Sequence, residues 1–493
     1  MNSDRNFRSE FDVAIVGYGP TGATLANLLA ICGVKVLLLD REPNIYHLPR
    51  AVHFDDEVMR VFQSIGIAEE LSKLVRVNPG MRFLDPQGNL LMNWPRKQKI
   101  SMHDWYASYR LHQPDLEKLL RKNLEKKKNV TTATEAEVTK LEQTDSEVLI
   151  TYFDRKNQSE RQVRASYLVG CDGANSFVRR TIKSDMEDFG FCERWLVVDV
   201  LLKKEKPELG DHSIQFCNPD RPMTYCRSPG NRRRWEITLL NDETSEDVTK
   251  PNRVWDFLSP WISEEDAELE RSVVYTFRSE IAKKWRDGRI LIAGDAAHLM
   301  PPFMGQGMCA GIRDASNLAW KLALSIQNKI GSDILDSYQE ERYMHVEQYL
   351  KAAIRLGGLI NSLDREGALV MAKERESGKA KMSSLSVRLG DSSIPNISKT
   401  NSPHQGKIFG QPKLSENKRM DDLIGYEPVL ITRIPMPPLQ GNRKTIDAVS
   451  EPSITPFLDD LNVNAVLLRP DRYILATAKT NEEINLLALL ISQ

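Results

Sequence analysis

The sequence predicts an α/β protein: a Rossmann-type nucleotide-binding domain carrying an inserted domain with a mixed, largely antiparallel sheet. Three observations predict it. The apolar run Asp12-Val-Ala-Ile-Val-Gly17 leads directly into Gly17-x-Gly19-x-x-Gly22, and a helical stretch and a second apolar run, Lys35 to Asp40, follow. Ser166-Tyr-Leu-Val-Gly170 and Arg289-Ile-Leu-Ile-Ala-Gly294 have the same continuous apolar character, that of strands buried on both faces. From about Cys192 to Ser279 the texture changes to alternation, as in Trp195-Leu-Val-Val-Asp-Val-Leu-Leu and Arg234-Trp-Glu-Ile-Thr-Leu-Leu, which suits an antiparallel sheet with one covered face.

Each element follows in chain order. Arg5 and Arg8 precede an apolar stretch, Phe11 to Val34, that loosely imitates a leader or membrane helix. Gly17, Gly19, Pro20 and Gly22 interrupt it and suit a phosphate loop better, so a soluble chain with no membrane partner is expected. Ala23 to Cys32 reads as the first helix. A second starts near Pro114 and carries the stripe Leu116, Leu119, Leu120 and Leu124. Ile312, Ala315, Leu318, Ala319 and Leu322 mark another. The predicted domains are 1–75, 105–185 and 285–365 for the discontinuous nucleotide-binding unit, and 76–104 with 186–284 for the substrate unit. Residues 366–420, rich in Lys, Ser, Asn and Pro, read as a linker. Residues 421–493 form a short terminal region with strands at Asn464–Leu468 and Arg472–Ala476.

Composition narrows the function. A chain of 493 residues is too long for one core. Its 41% hydrophobic and 27% charged residues are ordinary for globular proteins. The 67 basic and 68 acidic residues leave a net charge of −1, which suggests neither a nucleic-acid nor an anionic-membrane partner. Cys32, Cys171, Cys192, Cys217, Cys226 and Cys309 are scattered with no CxxC pair, so no metal site and no disulfide framework is indicated, and a cytoplasmic setting is expected.

Three motifs carry chemistry. In the first, Gly17 permits the tight turn, Gly19 lets a pyrophosphate approach the backbone, and Gly22 lets helix and strand pack closely. The following helix offers free N–H groups to that pyrophosphate. Asp40, ending the next strand, can hydrogen-bond ribose hydroxyls. The alternative is a glycine turn without a ligand. In the second, Gly294-Asp295-Ala-Ala-His298 ends a buried strand, and Pro301, Pro302 and Gly305-Gln306-Gly307 precede a helix. A carboxylate at that strand end lies where open α/β sheets bind ligands, although Asp295 also reads as a cap. The third, Cys171-Asp172-Gly173-x-x-Ser176-x-x-Arg179, is by itself a generic turn with Asp172 or Ser176 as cap.

In this order and spacing, the three motifs resemble those of the group A flavoprotein aromatic hydroxylases, and within them the 3-(3-hydroxyphenyl)propionate hydroxylases. Further matching segments include Pro49-Arg50-Ala51, Phe54-Asp55-Asp56-Glu57, Met81-Arg-Phe-Leu84, Trp195-Leu-Val-Val-Asp199, Gly305-Gln-Gly307, Arg313-Asp314, Tyr338-Gln-Glu-Glu-Arg342 and Arg469-Pro-Asp-Arg472. The likeness runs from about Phe11 to about Val346 and resumes in the tail.

The resemblance implies non-covalent FAD, with NADH or NADPH as a transient electron donor; no second strand–GxGxxG–helix unit is present to hold it. It implies a flavin hydroperoxide that hydroxylates a phenol such as 3-(3-hydroxyphenyl)propanoate, or a similar meta-substituted phenol, ortho to its hydroxyl. The implied partners are thus a small aromatic substrate and O₂, with a homodimer left open. Gly17, Gly19, Pro20, Thr21 and Gly22 would face the pyrophosphate, and Asp40 with Arg41 the adenosine ribose. Arg50, Arg110 and Gln113 would lie along the cofactor. Asp172, Gly173 and Arg179 belong to a motif tied to FAD and NAD(P)H. Gly294 and Asp295 would hold the ribityl portion. Pro302, Gly305, Gly307, Met308 and Cys309 would line the isoalloxazine, where a helix N-terminus stabilises the charge of the reduced ring. The chain departs from the family at Asp40, usually Glu, and at Cys309, usually Asn. It also departs in its tail, a thioredoxin-like remnant trimmed between Asp421 and Asn464.

A phenol must be helped to ionise, and the hydroperoxide kept from water. Asp55 leads the candidates for the phenol proton, with His53 two residues away and Tyr225 on the substrate sheet; each also reads as a cap or surface residue. Arg221 and Arg227 are available for a substrate carboxylate, while Arg232 to Arg234 reads as a solvated charge run. A same-fold monooxygenase of polyketides or drug-like aromatics, and a non-enzymatic binding protein, are the alternatives.

Overall fold

The computed structural model describes residues 10–46, 49–327, 329–362, 387–391, 394, 402–436 and 444–492. Strand β1 (Phe11–Val16) carries no polar residue beyond Asp12 and lies inside the first sheet, where water cannot reach either face. It pairs in parallel with β2 (Val36–Leu39) on one side and with Ser159–Gly170 on the other. The strand Ile290–Ile292 adds to Ser159–Gly170, also in parallel. Because these four strands run the same way, the segments that follow them emerge at one edge: Gly17, Asp40, Cys171-Asp172 and Gly294-Asp295. The three motifs, 277 residues apart in sequence from Gly17 to Gly294, therefore meet at the carboxyl edge of one sheet.

Helix α1 (Pro20–Ile31), preorganised by Pro20 at its first position, packs against the helix Gly307–Ile326 and the helix Gln113–Leu124. The Gly307 helix begins a full turn before the apolar stripe that announces it. Its opening residues Gly307-Met-Cys-Ala-Gly311 are mostly too small to show an amphipathic pattern: Gly307 and Met308 are half-buried, while Cys309 and Ala310 already belong to the main core.

The second sheet has the order His298–Leu299, Ala267–Ala282, Met186–Leu202, Arg232–Thr238, Met223–Arg227, Ser213–Phe216, Gly80–Leu84, Leu90–Pro95. All its pairings are antiparallel except that of Ser213–Phe216 with Gly80–Leu84. One face is buried by Val254 and Leu258 of the helix Pro251–Leu258, which pack on Leu196, Val198, Tyr225, Trp235 and Ile237. The other turns toward the nucleotide-binding unit. The short strand β3 (His53–Asp55) pairs with Ser108–Arg110 and runs into helix α2 (Asp56–Ile65), which packs against α1 and the Gly307 helix.

The terminal region forms a four-stranded sheet ordered Lys444–Asp447, Val429–Thr432, Ala465–Leu468, Ile474–Ala478, with Thr455–Leu461 on one face and Asn481–Ser492 on the other. Its thioredoxin-like character rests on the sequence resemblance. Of the predicted linker, residues 366–386 and most of 392–401 lie outside the described residues. Residues 402–420 differ from a linker: Phe409, Leu414 and Met420 are buried in the terminal core, and Gln411 bonds to the carbonyls of Met102 and His103. The Arg469-Pro-Asp-Arg472 segment docks this region. Arg472 and Arg60 share buried Asp421, and Arg469 pairs with Glu341 and Asp471. No helix among the described residues is long and apolar enough to cross a membrane.

Candidate nucleotide and substrate site

The cradle at the carboxyl edge is built by close backbone approach. Gly17 has φ +109, and a side chain there would drive into the carbonyl of Cys171. A Cβ on Gly22 would strike the carbonyl of Gly17, so strand, turn and helix pack without a gap. Gly19, by contrast, has nothing within 4 Å of its missing side chain and opens onto the cleft at the uncapped start of α1. Thr21, in the first turn of α1, is wedged between the Gly294 turn and Gly311 of the facing helix. The two helices therefore touch at their N-terminal turns, and both positive ends face the same cleft.

Asp40 is half-buried beside this cradle. One carboxylate oxygen accepts the Tyr18 N–H at 2.6 Å and the other the Glu42 N–H at 2.8 Å. Lone pairs remain for a ribose hydroxyl. Arg41 points to solvent and pairs with Glu42. Arg50 is exposed at the cleft, stacked 5.6 Å from the ring centre of Tyr46. Its backbone is clamped from two sides. Gln113 accepts the N–H groups of Arg50 and Ala51 at 3.1 and 2.7 Å and donates to Glu117 at 2.8 Å. Arg234 donates to the carbonyls of Pro49 and Arg50, and Arg271 donates to that of Pro49. Both guanidinium groups are anchored on buried Asp199. Gln113 thus acts as a backbone support, with both amide ends engaged. Arg233 and Arg234 are 3% and 2% exposed, so the expected solvated charge run is largely buried: Arg234 forms the clamp, and Arg233 turns back to the carbonyls of Gly230 and Arg232. Lone arginines are solvated more often, but Asp199 lies directly across the strand pair.

Asp295 faces the cleft without a hydrogen-bond partner among the described residues. The protein surrounding it partly desolvates its carboxyl and raises the pKa, with His298 and Arg50 opposing. The turn that carries it is held by Asp314, which is fully buried and which sequence patterning could not single out. Asp314 accepts the Gly294 N–H at 3.0 Å, pairs with His298 Nε2 at 2.6 Å and takes Arg342 Nε at 2.8 Å. Burial would raise its pKa, but the charges of His298 and Arg342 overcome this and hold it at about 2. In the third motif, Asp172 accepts the Ser176 hydroxyl and the N–H groups of Phe177 and Val178, and Ser176 caps Arg179. Gly173 turns the chain with φ +79. Arg179 donates to the carbonyls of Ala296 and Ala174, tying this turn to the Asp295 turn.

Across the cleft, Pro302 opens a single 3-10 turn, Pro302–Met304, that ends in left-handed Gly305. Gly307 has open space around it and Met308 is half-buried, whereas Cys309 is buried, its thiol against the carbonyls of His53 and Gly305. His53 sits under Gly305, with Nε2 2.8 Å from the Ser108 hydroxyl and Nδ1 3.3 Å from the Gly305 carbonyl. Burial and then the Arg110 charge push its pKa down to about 3, so it is neutral at pH 7. Asp55 caps α2 through the Val58 N–H at 3.1 Å and gives its other oxygen to Arg313 at 2.6 Å and Gln306 at 3.2 Å. Burial works against ionisation, yet Arg313 keeps its carboxyl below the usual range. The expected proton acceptor is therefore committed to a cap and an ion pair.

The sheet settles which side chains face inward. Tyr225 lies cross-strand from Ile214 and Trp235 in the core covered by the Pro251 helix, on the side away from the cleft. Proximity in sequence to the right strand misplaces it, because side chains alternate faces. Arg221 is paired with Glu243 and Arg227 with Asp211, so neither is a free cation. The inward face carries an apolar cluster of Phe83, Met92, Cys217 and Leu356, edged by Met81, Trp94, Phe303 and Met304. Phe303 and Met304 belong to the turn that leads into Gly305, so the cluster adjoins the Gly305–Met308 segment. Two cations adjoin it. Arg110 reaches the Ser213 hydroxyl, and Arg96 lies 4.7 Å over the Trp94 ring with no carboxylate in ion-pair reach among the described residues. Burial, then Arg110, lowers the Arg96 pKa.

These residues fit FAD. Two helix N-termini and an open glycine suit a pyrophosphate, Asp40 keeps capacity for a ribose, and Asp295, unpartnered among the described residues, follows Gly294, which packs on Thr21 and beside Gly311.

A family model described as FAD binding domain matches residues 10–353. The chain is 40% identical over 350 residues to a probable NADH-specific resorcinol 4-hydroxylase of Rhodococcus jostii (strain RHA1), covering 71% of this chain and 66% of that one. It is 35% identical over 358 residues to a 3-(3-hydroxy-phenyl)propionate/3-hydroxycinnamic acid hydroxylase of Paraburkholderia xenovorans (strain LB400), covering 72% and 56%. The chain thus spans less than two thirds of the length of these relatives. In fold it is similar to the flavin-dependent monooxygenase PieE, with TM-score 0.82, 21% identity and 98% of each chain covered.

Proposed function

The chain belongs to the FAD binding domain family, and from that premise we propose that it is an FAD-dependent, NAD(P)H-consuming monooxygenase that hydroxylates a meta-substituted phenol ortho to its hydroxyl. The observation that carries this is the apolar cluster of the second sheet, which shares Phe303 and Met304 with the turn leading to Gly305 and Gly307. An aromatic ring bound there is apposed to the segment proposed to line the flavin. Resorcinol and 3-(3-hydroxyphenyl)propionate, which the relatives' names carry, are both phenols with a meta substituent. Unpaired Arg96 favours an anionic substituent, which supports 3-(3-hydroxyphenyl)propanoate as the substrate. NADH is the proposed donor, after the name of the Rhodococcus relative.

Bound FAD, reduced by NAD(P)H, would supply the two electrons that activate O₂, one atom of which goes to the ring while the other leaves as water. The protein's own residues do the rest. Gly17 to Gly22 and the start of α1 bind the pyrophosphate, Asp40 the ribose, and Asp295 the ribityl chain. The start of the Gly307 helix stabilises negative charge at the pyrimidine edge. Phe83, Met92, Phe303 and Leu356 exclude water from the reacting ring. Of the three proton acceptors considered, His53 is neutral and lies at Gly305, but its Nδ1 faces the Gly305 carbonyl and its Nε2 takes the Ser108 hydroxyl, so no lone pair is left for the phenol proton. Ionisation of the phenol therefore leans on the positive field of Arg96 and Arg110.

The test is NADH and NADPH oxidation by the purified holoenzyme with a panel of meta-substituted phenols, products identified by mass. A product one oxygen atom heavier than the phenol is expected. Formation of peroxide alone with every such phenol overturns the proposal.

A further inference from the structure

Among the described residues several buried polar atoms lack a partner: the Tyr225 hydroxyl and the Trp235 N–H lie in the opposite core, and the second nitrogen of His298 lies behind the Asp295 turn. Gln215 is different. It is 1% exposed, and its amide Nε2 has no hydrogen-bond partner among the described residues. It lies cross-strand from Thr224 on one side and Phe83 on the other. Cross-strand partners share a face, and so does Cys217, two residues further on. Phe83 and Cys217 both belong to the apolar cluster with Phe303 and Met304. The unpaired N–H₂ thus sits on the inward face, among the residues proposed to hold the ring. Thr224 fixes the amide by donating its hydroxyl to Gln215 Oε1 at 2.6 Å, which leaves the donor end aimed away from Thr224. A buried amide donor without a partner is costly, and such groups persist where a ligand satisfies them.

We propose that Gln215 recognises the substrate's ring hydroxyl, donating its unpaired amide N–H to that oxygen. This rests on the reading of the site as a phenol hydroxylase. Donation to the oxygen favours the ionised phenol, which is the more reactive form, and places the ring for attack. Gln215 is therefore a specificity-determining residue, and Thr224 is a positioning residue acting through it.

The test compares two ligands on the oxidised holoenzyme, 3-(3-hydroxyphenyl)propanoate and 3-phenylpropanoate, by titrating the flavin absorbance change. The wild type is expected to bind the phenol more tightly than its deoxy analogue. In Gln215→Met that ratio is expected to fall about three- to tenfold, the worth of one neutral hydrogen bond. A ratio within one variant is insensitive to a general loss of stability. If Gln215→Met does not fold, Thr224→Val serves, keeping the amide but releasing its orientation, and the ratio is again expected to fall. A wild type that hydroxylates the phenol, with a ratio unchanged in the variant that folds, overturns the role of Gln215. A wild type that neither binds nor hydroxylates any meta-substituted phenol overturns the reading of the site.

Discussion

Substituting Gly311 by alanine probes whether the cleft depends on the close approach of two helix N-termini. A methyl group there would lie under 3.0 Å from Thr21 Oγ1, 3.1 Å from Gly294 Cα and 3.5 Å from Thr21 Cβ. Gly294 Cα is backbone, and Oγ1 ends a β-branched side chain with few rotamers in a helix, so α1 and the Gly307 helix must part. Overpacking of this kind is worth about 1–3 kcal/mol. Without cofactor the helices relieve it by spreading. With cofactor they cannot, because both N-termini must meet one ligand. The strain then appears as weaker FAD binding, about 5- to 150-fold. Removing Oγ1 relieves the closest contact and leaves 3.5 Å between the two Cβ atoms, an ordinary distance. Thr21→Ala is therefore expected to restore much of the affinity lost in Gly311→Ala, a coupling read from the double-mutant cycle. FAD dissociation constants from flavin fluorescence quenching of the apoproteins measure all four species. Near-zero coupling, or a Gly311→Ala protein with wild-type affinity, refutes the reasoning.

Three other expectations follow. Asp295→Ala loses about 1–3 kcal/mol of FAD affinity while urea unfolding of the apoprotein is unchanged, because this carboxylate has no partner in the described protein to lose; unaltered FAD retention would reduce Asp295 to a turn residue. Asp55→Asn keeps the cap on Val58 but loses its charge opposite Arg313, so the urea midpoint falls by the equivalent of about 1–3 kcal/mol while the pH profile of turnover stays in place; a shifted profile with intact stability would return the proton-acceptor role to Asp55. Asp56 has its pKa raised from 3.8 to about 7 by burial and then by Asp55. The folded value exceeds the unfolded one, so the ionised group destabilises progressively between those limits. Asp56→Asn is therefore neutral near pH 4 and stabilising at pH 8, gaining at most about 1.4 kcal/mol per pH unit between. Urea midpoints across that range check it, and a gain largest in acid would be the wrong sign.

The motifs were legible in the chain because they depend on local backbone geometry. Gly17 and Gly22 read as a phosphate turn since only glycine tolerates the approach of Cys171 and Gly17 carbonyls, and Asp40 and Asp295 stand at the ends of apolar strands. Apolar runs marked the buried strands of both sheets, but Trp195 to Val200 and Arg233 to Ile237 are buried on both faces, not on the one that alternation predicted, because the nucleotide-binding unit covers the second face. What period could not supply was the face and the partner. Tyr225 and Gln215 sit on neighbouring strands with similar surroundings in sequence, yet pairing with Trp235 sends one into the far core, and pairing with Phe83 and Thr224 sends the other to the cleft. Asp55 looked like a base until Arg313, 258 residues later, took its charge. Arg234 looked solvated until Asp199 and the Pro49 carbonyl were brought to it. Asp314, visible in the sequence only as part of the Arg313-Asp314 match to the family and with no pattern to give its role, holds the Asp295 turn. Sequence by itself determined where the chain turns, which strands are buried and where a dinucleotide is met. Strand register and the pairing of distant charges, which exist only once the sheets have formed, decided which side chains are free to act there.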